Sequence, residues 1–242
     1  MALRGPDDTV QTAKRFYKAV TVEPVDGGFA VRLDGRSPKS PGGMPLVLPT
    51  RGLAELAAAE WAAQEAFILL AAMPATRLAF TAIEKAAAAR EGLAAEVARY
   101  AGSDVLCYFA TEPAQLVAQQ AAAWEPILAW AEAELGVRMT RASGIVHCAQ
   151  DPAALGRVRD HALALDDFSL IGLAHATPLL GSALLALAVQ RGRLSGEAAY
   201  DLSRLDEAWQ ESLWGVDDEA AERTAKLRAE AAMLGAWFEA LR

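Results

Sequence analysis

Phe16-Tyr17-Lys18-Ala19-Val20-Thr21-Val22, then Asp26-Gly27-Gly28, then Phe29-Ala30-Val31-Arg32-Leu33 is the stretch that decides the fold class. Its two outer runs alternate apolar and polar residues at the period of two that turns one face of a strand to a core, and the aspartate and glycines between them suit a reversal. The pattern predicts a β-hairpin. A second reversal is expected at Asp34-Gly35, a dipeptide that accepts the positive backbone angles of a type I′ turn. Beyond it, Arg36-Ser37-Pro38-Lys39-Ser40-Pro41 reads as an edge limited by its prolines, and Pro45-Leu46-Val47-Leu48-Pro49 as a further short strand.

Near residue 50 the composition changes from glycine- and proline-rich to alanine-rich and helix-forming. Thr50 suits the N-cap of a helix over 53–67, with Leu53, Leu56, Ala57, Trp61 and Ala62 on its apolar faces. After Met73-Pro74 helices are expected around 83–100, 114–135, 153–165, 168–191, 195–213 and 218–241, separated by glycine, proline or aspartate signals. In the last of these, Met233, Leu234, Trp237, Phe238 and Leu241 recur at helical spacing, while Glu219 and Arg223, and Glu222 and Lys226, sit four apart on the wet side. The expected class is α+β: a small N-terminal antiparallel β domain with a helix over 1–78, followed by a larger all-helical domain over 79–242.

A chain of 242 residues buries ample core without staples. Cys107 and Cys148 lie far apart and outside any Cys-x-x-Cys spacing, which argues against a disulfide scaffold or structural zinc and fits a reducing cytosol. The formal charge of -8 opposes general binding to nucleic-acid backbones. Residues 1–10 lack both the apolar core of a secretory signal and the arginine-rich pattern of a transit peptide, so a bacterial cytoplasm is the expected location. Residues 170–189 carry no Asp, Glu, Lys or Arg and are long enough to reach across a bilayer. His175, Thr177, Pro178, Ser182, two glycines and many alanines favour instead a buried core helix kinked at Pro178, with no stable membrane insertion.

Catalytic signatures are missing from the sequence. It has no Gly-x-Ser-x-Gly elbow, Walker loop, His-Glu-x-x-His or strand-borne Gly-x-Gly-x-x-Gly, and His147, His161 and His175 stand in no recognisable metal or nucleophile setting. No cofactor or metal is expected. Near the C-terminus, Leu205-Asp206-Glu207-Ala208-Trp209-Gln210 and Trp214-Gly215-Val216-Asp217 concentrate acids and tryptophans. On a helix, Asp206, Gln210 and Leu213 would share one stripe and Glu207, Glu211 and Trp214 the next, an acidic, aromatic ridge suited to gripping a polypeptide. Two other readings stand beside it. Trp209 and Trp214 would be core anchors, Gly215 a helix C-cap and Asp217 the next N-cap; or Asp206 and Glu207 would supply the acid and base of a small-molecule enzyme.

Assembled in order, Arg15-Phe16-Tyr17-Lys18, Leu33-Asp34-Gly35-Arg36, Glu60-Trp61-Ala62-Ala63-Gln64, Met73-Pro74-Ala75-Thr76-Arg77-Leu78, Tyr100-Ala101-Gly102-Ser103-Asp104, Trp124-Glu125-Pro126 and the two C-terminal runs give the chain a nearly end-to-end resemblance to the ATP synthase assembly-factor family, in its alpha-subunit-binding branch. It departs from that pattern at Tyr17, where tryptophan is usual, at Ser40 in place of threonine, and at Phe109 in place of arginine. The resemblance implies a non-enzymatic chaperone that shields the newly made ATP synthase alpha subunit until a beta subunit takes over the surface. A monomer is the expected state, and eukaryotic relatives work in the mitochondrial matrix. On that reading Trp214 supplies buried area, Glu207, Asp206, Gln210 and Asp217 form the polar part of the contact, and Arg36 and Arg77 are further candidates for touching the client.

Overall fold

The computed structural model of the chain describes residues 13–144 and 146–242, so the stretch 1–10 inspected for a leader lies outside the described residues. β1 (Ala13–Lys14) opens the chain, and the hairpin follows as β2 (Val20–Val25) and β3 (Gly28–Leu33), paired from Val20 with Leu33 to Val25 with Gly28. The first strand begins later than its alternation suggests. Arg15 to Lys18 are engaged elsewhere: Arg15 N–H donates to the Ala66 carbonyl at 3.0 Å, and the buried Tyr17 hydroxyl donates to the Trp61 carbonyl at 2.7 Å. Asp34 and Gly35 have φ of 47° and 82°, as a type I′ turn demands. The Asp34 carboxylate accepts from the N–H groups of Ala19 and Lys18, which hold its carboxyl below the usual carboxylate range.

β4 (Val47–Leu48) completes a three-stranded antiparallel sheet in the order β2-β3-β4, and α1 (Arg51–Ala62) lays Leu53, Ala54, Ala57 and Trp61 on it. Thr50 Oγ1 accepts from Leu53 N–H, the N-cap its side chain suits. α1 stops at Ala62 instead of continuing to Phe67. Gln64 bonds backbone in two directions, donating to Glu60 O and accepting from Leu69 N–H, and the freed chain forms β5 (Phe67–Ile68) against β1. α2 (Pro74–Thr81) starts with proline at its first position, and the Glu60 carboxylate accepts from the N–H groups of Ala75 and Thr76, each at 2.7 Å. The division expected between residues 78 and 79 falls within α2, which packs on α1 and on later helices.

After a π turn at Ala82–Ala86 come α3 (Ala87–Ala101), the short β6 (Tyr108–Phe109), α4 (Ala114–Leu135), β7 (Ala142–Ser143) paired parallel to β6, and α5 (Pro152–Leu163). The apolar stretch 170–189 is two elements, α6 (Asp167–Leu180) and α7 (Ala183–Gln190). The chain breaks after Leu180 and not at Pro178, because Gly181 adopts φ 58° as a left-handed C-cap and Ser182 Oγ caps α7 through Leu185 N–H. Among the described residues no helix is long and apolar enough to cross a membrane. Likewise 195–213 splits at Arg204 into α8 (Gly196–Ser203) and α9 (Leu205–Trp214), and α10 (Asp218–Ala240) follows. The mixed α+β class agrees with the expectation.

At the centre of the helical part, the wholly buried Asp104 accepts from Leu106 N–H at 3.2 Å and from Leu184 N–H, at the start of α7, at 3.1 Å. Burial pushes its carboxyl from 3.8 up to about 6, against the opposing pull of its donors. A carboxyl whose folded value lies above its unfolded one stabilises most fully below the unfolded value, and loses that contribution as pH rises through the folded one. Asp104→Asn is therefore expected to remove a fall in stability between pH about 4 and about 6, read as the urea midpoint measured across that window.

Candidate functional site

α9 holds most of the predicted ridge, and two anchors orient it. Leu205 is buried, and Asp206 Oδ1 accepts from Gln120 Nε2 of α4 at 2.5 Å. Gln120 is itself buried and accepts from Ala110 N–H through Oε1 at 2.7 Å, so both ends of its carboxamide are used. Asp206 thus turns inward and ties α9 to α4. Trp209 packs half-buried against the core. Glu211 accepts from Arg204 Nη2 at 2.7 Å, while Arg204 Nη1 reaches Thr224 of α10 at 3.0 Å, fixing the angle between α9 and α10.

Of the predicted ridge, Glu207, Gln210, Leu213 and Trp214 face solvent, and Glu207, Gln210 and Trp214, spaced by three and four positions, share one stripe. Trp214 is 82% exposed, with Leu213 at 59% and Val216 at 53% beside it in the chain. Gly215, at φ 80°, ends α9, and Asp217 accepts from Ala220 N–H as the N-cap of α10 at 2.9 Å. Asp217 remains exposed, so its negative charge still flanks Trp214 in sequence. Of the two tryptophans read as alternative core anchors, Trp209 packs inward and Trp214 does not.

Arg36 and Arg77 lie apart from this stripe. Arg36 is exposed on the hairpin, bridged through its backbone to Leu33, and Arg77 is exposed on α2 beside Glu230 and Met233 of α10. Asp218 and Glu230 are twelve residues apart on one helix, which at 1.5 Å per residue is about 18 Å. The structure therefore gathers Glu207, Gln210, Trp214 and Asp217 at one end of α10, and places Arg77 part-way along it. The opposite end of α10 meets α1, where the Thr50 hydroxyl donates to the Ala240 carbonyl.

Each of the three histidines is bonded away from Asp206 and Glu207. His147 Nδ1 meets the Tyr108 hydroxyl, His161 Nε2 meets the Leu135 carbonyl, and His175 Nε2 meets Glu230 Oε1. Among the described residues no three His, Cys, Asp or Glu side chains gather as a metal would require. What the ridge offers chemically is an apolar contact area fringed by carboxylates.

Sequence reasoning missed the inward turn of Asp206. Gln120, the residue that draws it in, lies 86 positions away and stands in none of the motifs.

The family model described as ATP12 chaperone protein matches residues 14–132, the sheet and the helices through most of α4. The chain is 25% identical over 221 residues to the Schizosaccharomyces pombe protein named Protein atp12, mitochondrial, an alignment covering 86% of this chain and 76% of that protein. It is also similar to the solved structure of Atp12 from Paracoccus denitrificans, at 40% identity and a TM-score of 0.88, covering 95% of this chain and 99% of that one. A solved protein from Agrobacterium tumefaciens matches with 39% identity and a TM-score of 0.88, over 96% of this chain and 87% of that one. The family model ends before α9, whereas the similarity to the two solved structures extends over nearly the whole chain.

Proposed function

The chain belongs to the ATP12 chaperone protein family, and from that premise we propose that it holds the unassembled alpha subunit of the F-type ATP synthase and prevents its aggregation. The observation that carries this reading is Trp214, a large apolar side chain left 82% exposed at the end of a stripe that also bears Glu207. An orphan subunit exposes an interface that would otherwise find copies of itself, and a holder must cover it yet give it up to the proper partner. Trp214 with Leu213 and Val216 supplies area to bury, and the carboxylates of Glu207 and Asp217 attract arginines of the client and speed the encounter. Release needs no fuel molecule, because the beta subunit competes for the same surface. The chain acts as a monomer in a bacterial cytoplasm and performs no covalent step.

Within this reading Asp206 positions the ridge through Gln120, and Glu207 meets the client. Glu207→Lys changes an exposed side chain with no ion pair among the described residues, so the fold is expected to persist. Capture of the alpha subunit is expected to weaken by roughly tenfold, with the loss shrinking at high salt as an exposed charge contact should. The measurement is suppression of alpha-subunit light scattering by wild-type and variant protein at two salt concentrations. Equal suppression by both would remove Glu207 from the contact.

A further inference from the structure

Three hollows adjoin along the outward side of α2. The first encloses about 360 Å³ between α2, α3, α6 and α10, with Leu78, Leu93 and Met233 on its walls and Arg77 at its rim. Arg77 and Thr81 also border a second hollow of about 530 Å³, together with Leu70, Phe80 and Lys85. Leu70 and Phe80 border in turn a third of about 280 Å³, which Trp61, Ile68 and Lys39 complete. Arg77 and Thr81 stand between the first two hollows and Leu70 and Phe80 between the second and third, so the three form one row, a segmented groove. Leu70, where the second and third hollows meet, is 41% exposed, and Phe67 and Leu69 just before it in the chain are also exposed.

The charge of this groove runs against that of the chain. Lys39, Arg77 and Lys85 make no ion pair among the described residues, although the chain as a whole is at -8. Two acids, Glu84 and Glu230, also border it, so the three cations outnumber the carboxylates by one. Glu84 Oε1 accepts from Gly42 N–H at 2.5 Å, and Glu230 Oε1 is paired with His175 Nε2 at 2.6 Å. Apolar hollows with unpaired cations between them favour a ligand that is apolar and acidic, and they disfavour a basic one.

We propose that this groove is a second docking surface, which takes an acidic, apolar segment of the client polypeptide, with apolar side chains in the hollows flanking α2 and carboxylates opposite Arg77 and Lys85. It rests on the chaperone reading above and adds the chemistry of one segment that the chaperone receives. The ridge at the start of α10 is acidic and this groove part-way along α10 is basic, so the two together fix which way round a client sits.

The test uses the full-length protein and purified alpha subunit. A photoreactive benzoylphenylalanine at position 70 is expected to crosslink to a client segment that carries carboxylates among apolar residues. The double variant Arg77→Glu, Lys85→Glu, both exposed positions, is expected to keep its thermal midpoint while alpha-subunit affinity falls about tenfold. Crosslinks from position 70 to a basic segment, no crosslinks from position 70 while a probe at position 214 still crosslinks, or unchanged affinity of the double variant would each overturn the proposal. If wild-type protein captures no alpha subunit at all, the parent reading fails and this one falls with it.

Discussion

Replacing Trp214 by alanine is expected to weaken alpha-subunit binding by about thirtyfold or more, the ~2 kcal/mol characteristic of a central aromatic anchor, without lowering thermal stability. The two halves of that expectation have one cause. At 82% exposed, the side chain contributes little to the folded monomer, so its area remains to be buried by a partner. A tryptophan covers on the order of 200 Å², which at ~25 cal/mol per Å² amounts to roughly 5 kcal/mol gross, reduced by the cost of ordering both surfaces. An exposed charge contact, the kind proposed for Glu207, contributes less, about 1 kcal/mol, and acts mainly on the rate of encounter. On the proposed reading, Trp214 is therefore expected to set the lifetime of the complex and Glu207 the speed of its formation. Titration of alpha subunit into wild-type and Trp214→Ala protein, with a thermal melt of each, checks both halves. An unchanged Kd would deny Trp214 its role, and a large fall in Tm would make it a structural residue.

Gly196→Ala is expected to be the most destabilising of the mild substitutions in this chain. A Cβ at that position would stand 1.7 Å from the carbonyl oxygen of Ala231 and 2.5 Å from its carbon, backbone atoms of α10 that have no rotamer to change. α8 and α10 would have to part. Across the same crossing, a Cβ on Gly235 would meet the Gly196 nitrogen at 2.9 Å, so the two glycines let the helices approach backbone to backbone. Overpacking of this kind costs typically 1–3 kcal/mol, and contact with immovable backbone puts the expected loss at or above about 3 kcal/mol. Gly156→Ala is the matched control. Gly156 lies inside α5 with nothing within 4 Å of its would-be Cβ, and a stabilisation of about 0.5–1 kcal/mol is expected from the helical gain alone. Urea midpoints of the two variants should move in opposite directions. The substitution at Gly196 also bears on the proposed client contact, because α8 leads through Arg204 into α9, and Arg204 holds Glu211 and Thr224 in place.

Much of the N-terminal part was legible because its signals are local. Alternation at period two marks β2 and β3, Asp34-Gly35 marks a turn whose angles only a few residue pairs accept, and Thr50 marks a helix start through a bond to Leu53, three residues on. The element ends were less legible wherever a distant partner intervened. Phe67 leaves the helical register because Lys14 pairs with it, and the break after Leu180 follows from two adjacent caps where the proline signal pointed to Pro178. The candidate site shows the same division. The ridge is visible as a cluster of acids and tryptophans, but periodicity treats Asp206 and Glu207 as neighbours of equal standing, and only Gln120 on α4 distinguishes them. The groove along α2 has no sequence signature at all, since Leu70, Arg77, Lys85 and Met233 come from four separate stretches.

By itself, then, the sequence determined the α+β class, the hairpin and its turns and several helix caps, because each depends on bonds or periodicities spanning a few residues, and the family resemblance, which rests on the order of short motifs along the chain. The tertiary structure alone decided which acid faces inward, that Trp214 stays exposed while Trp209 packs, and that hollows bordered by several helices line up beside Arg77 and Lys85. Those outcomes rest on contacts between residues many positions apart, which form only once the helices have packed and which no local pattern encodes.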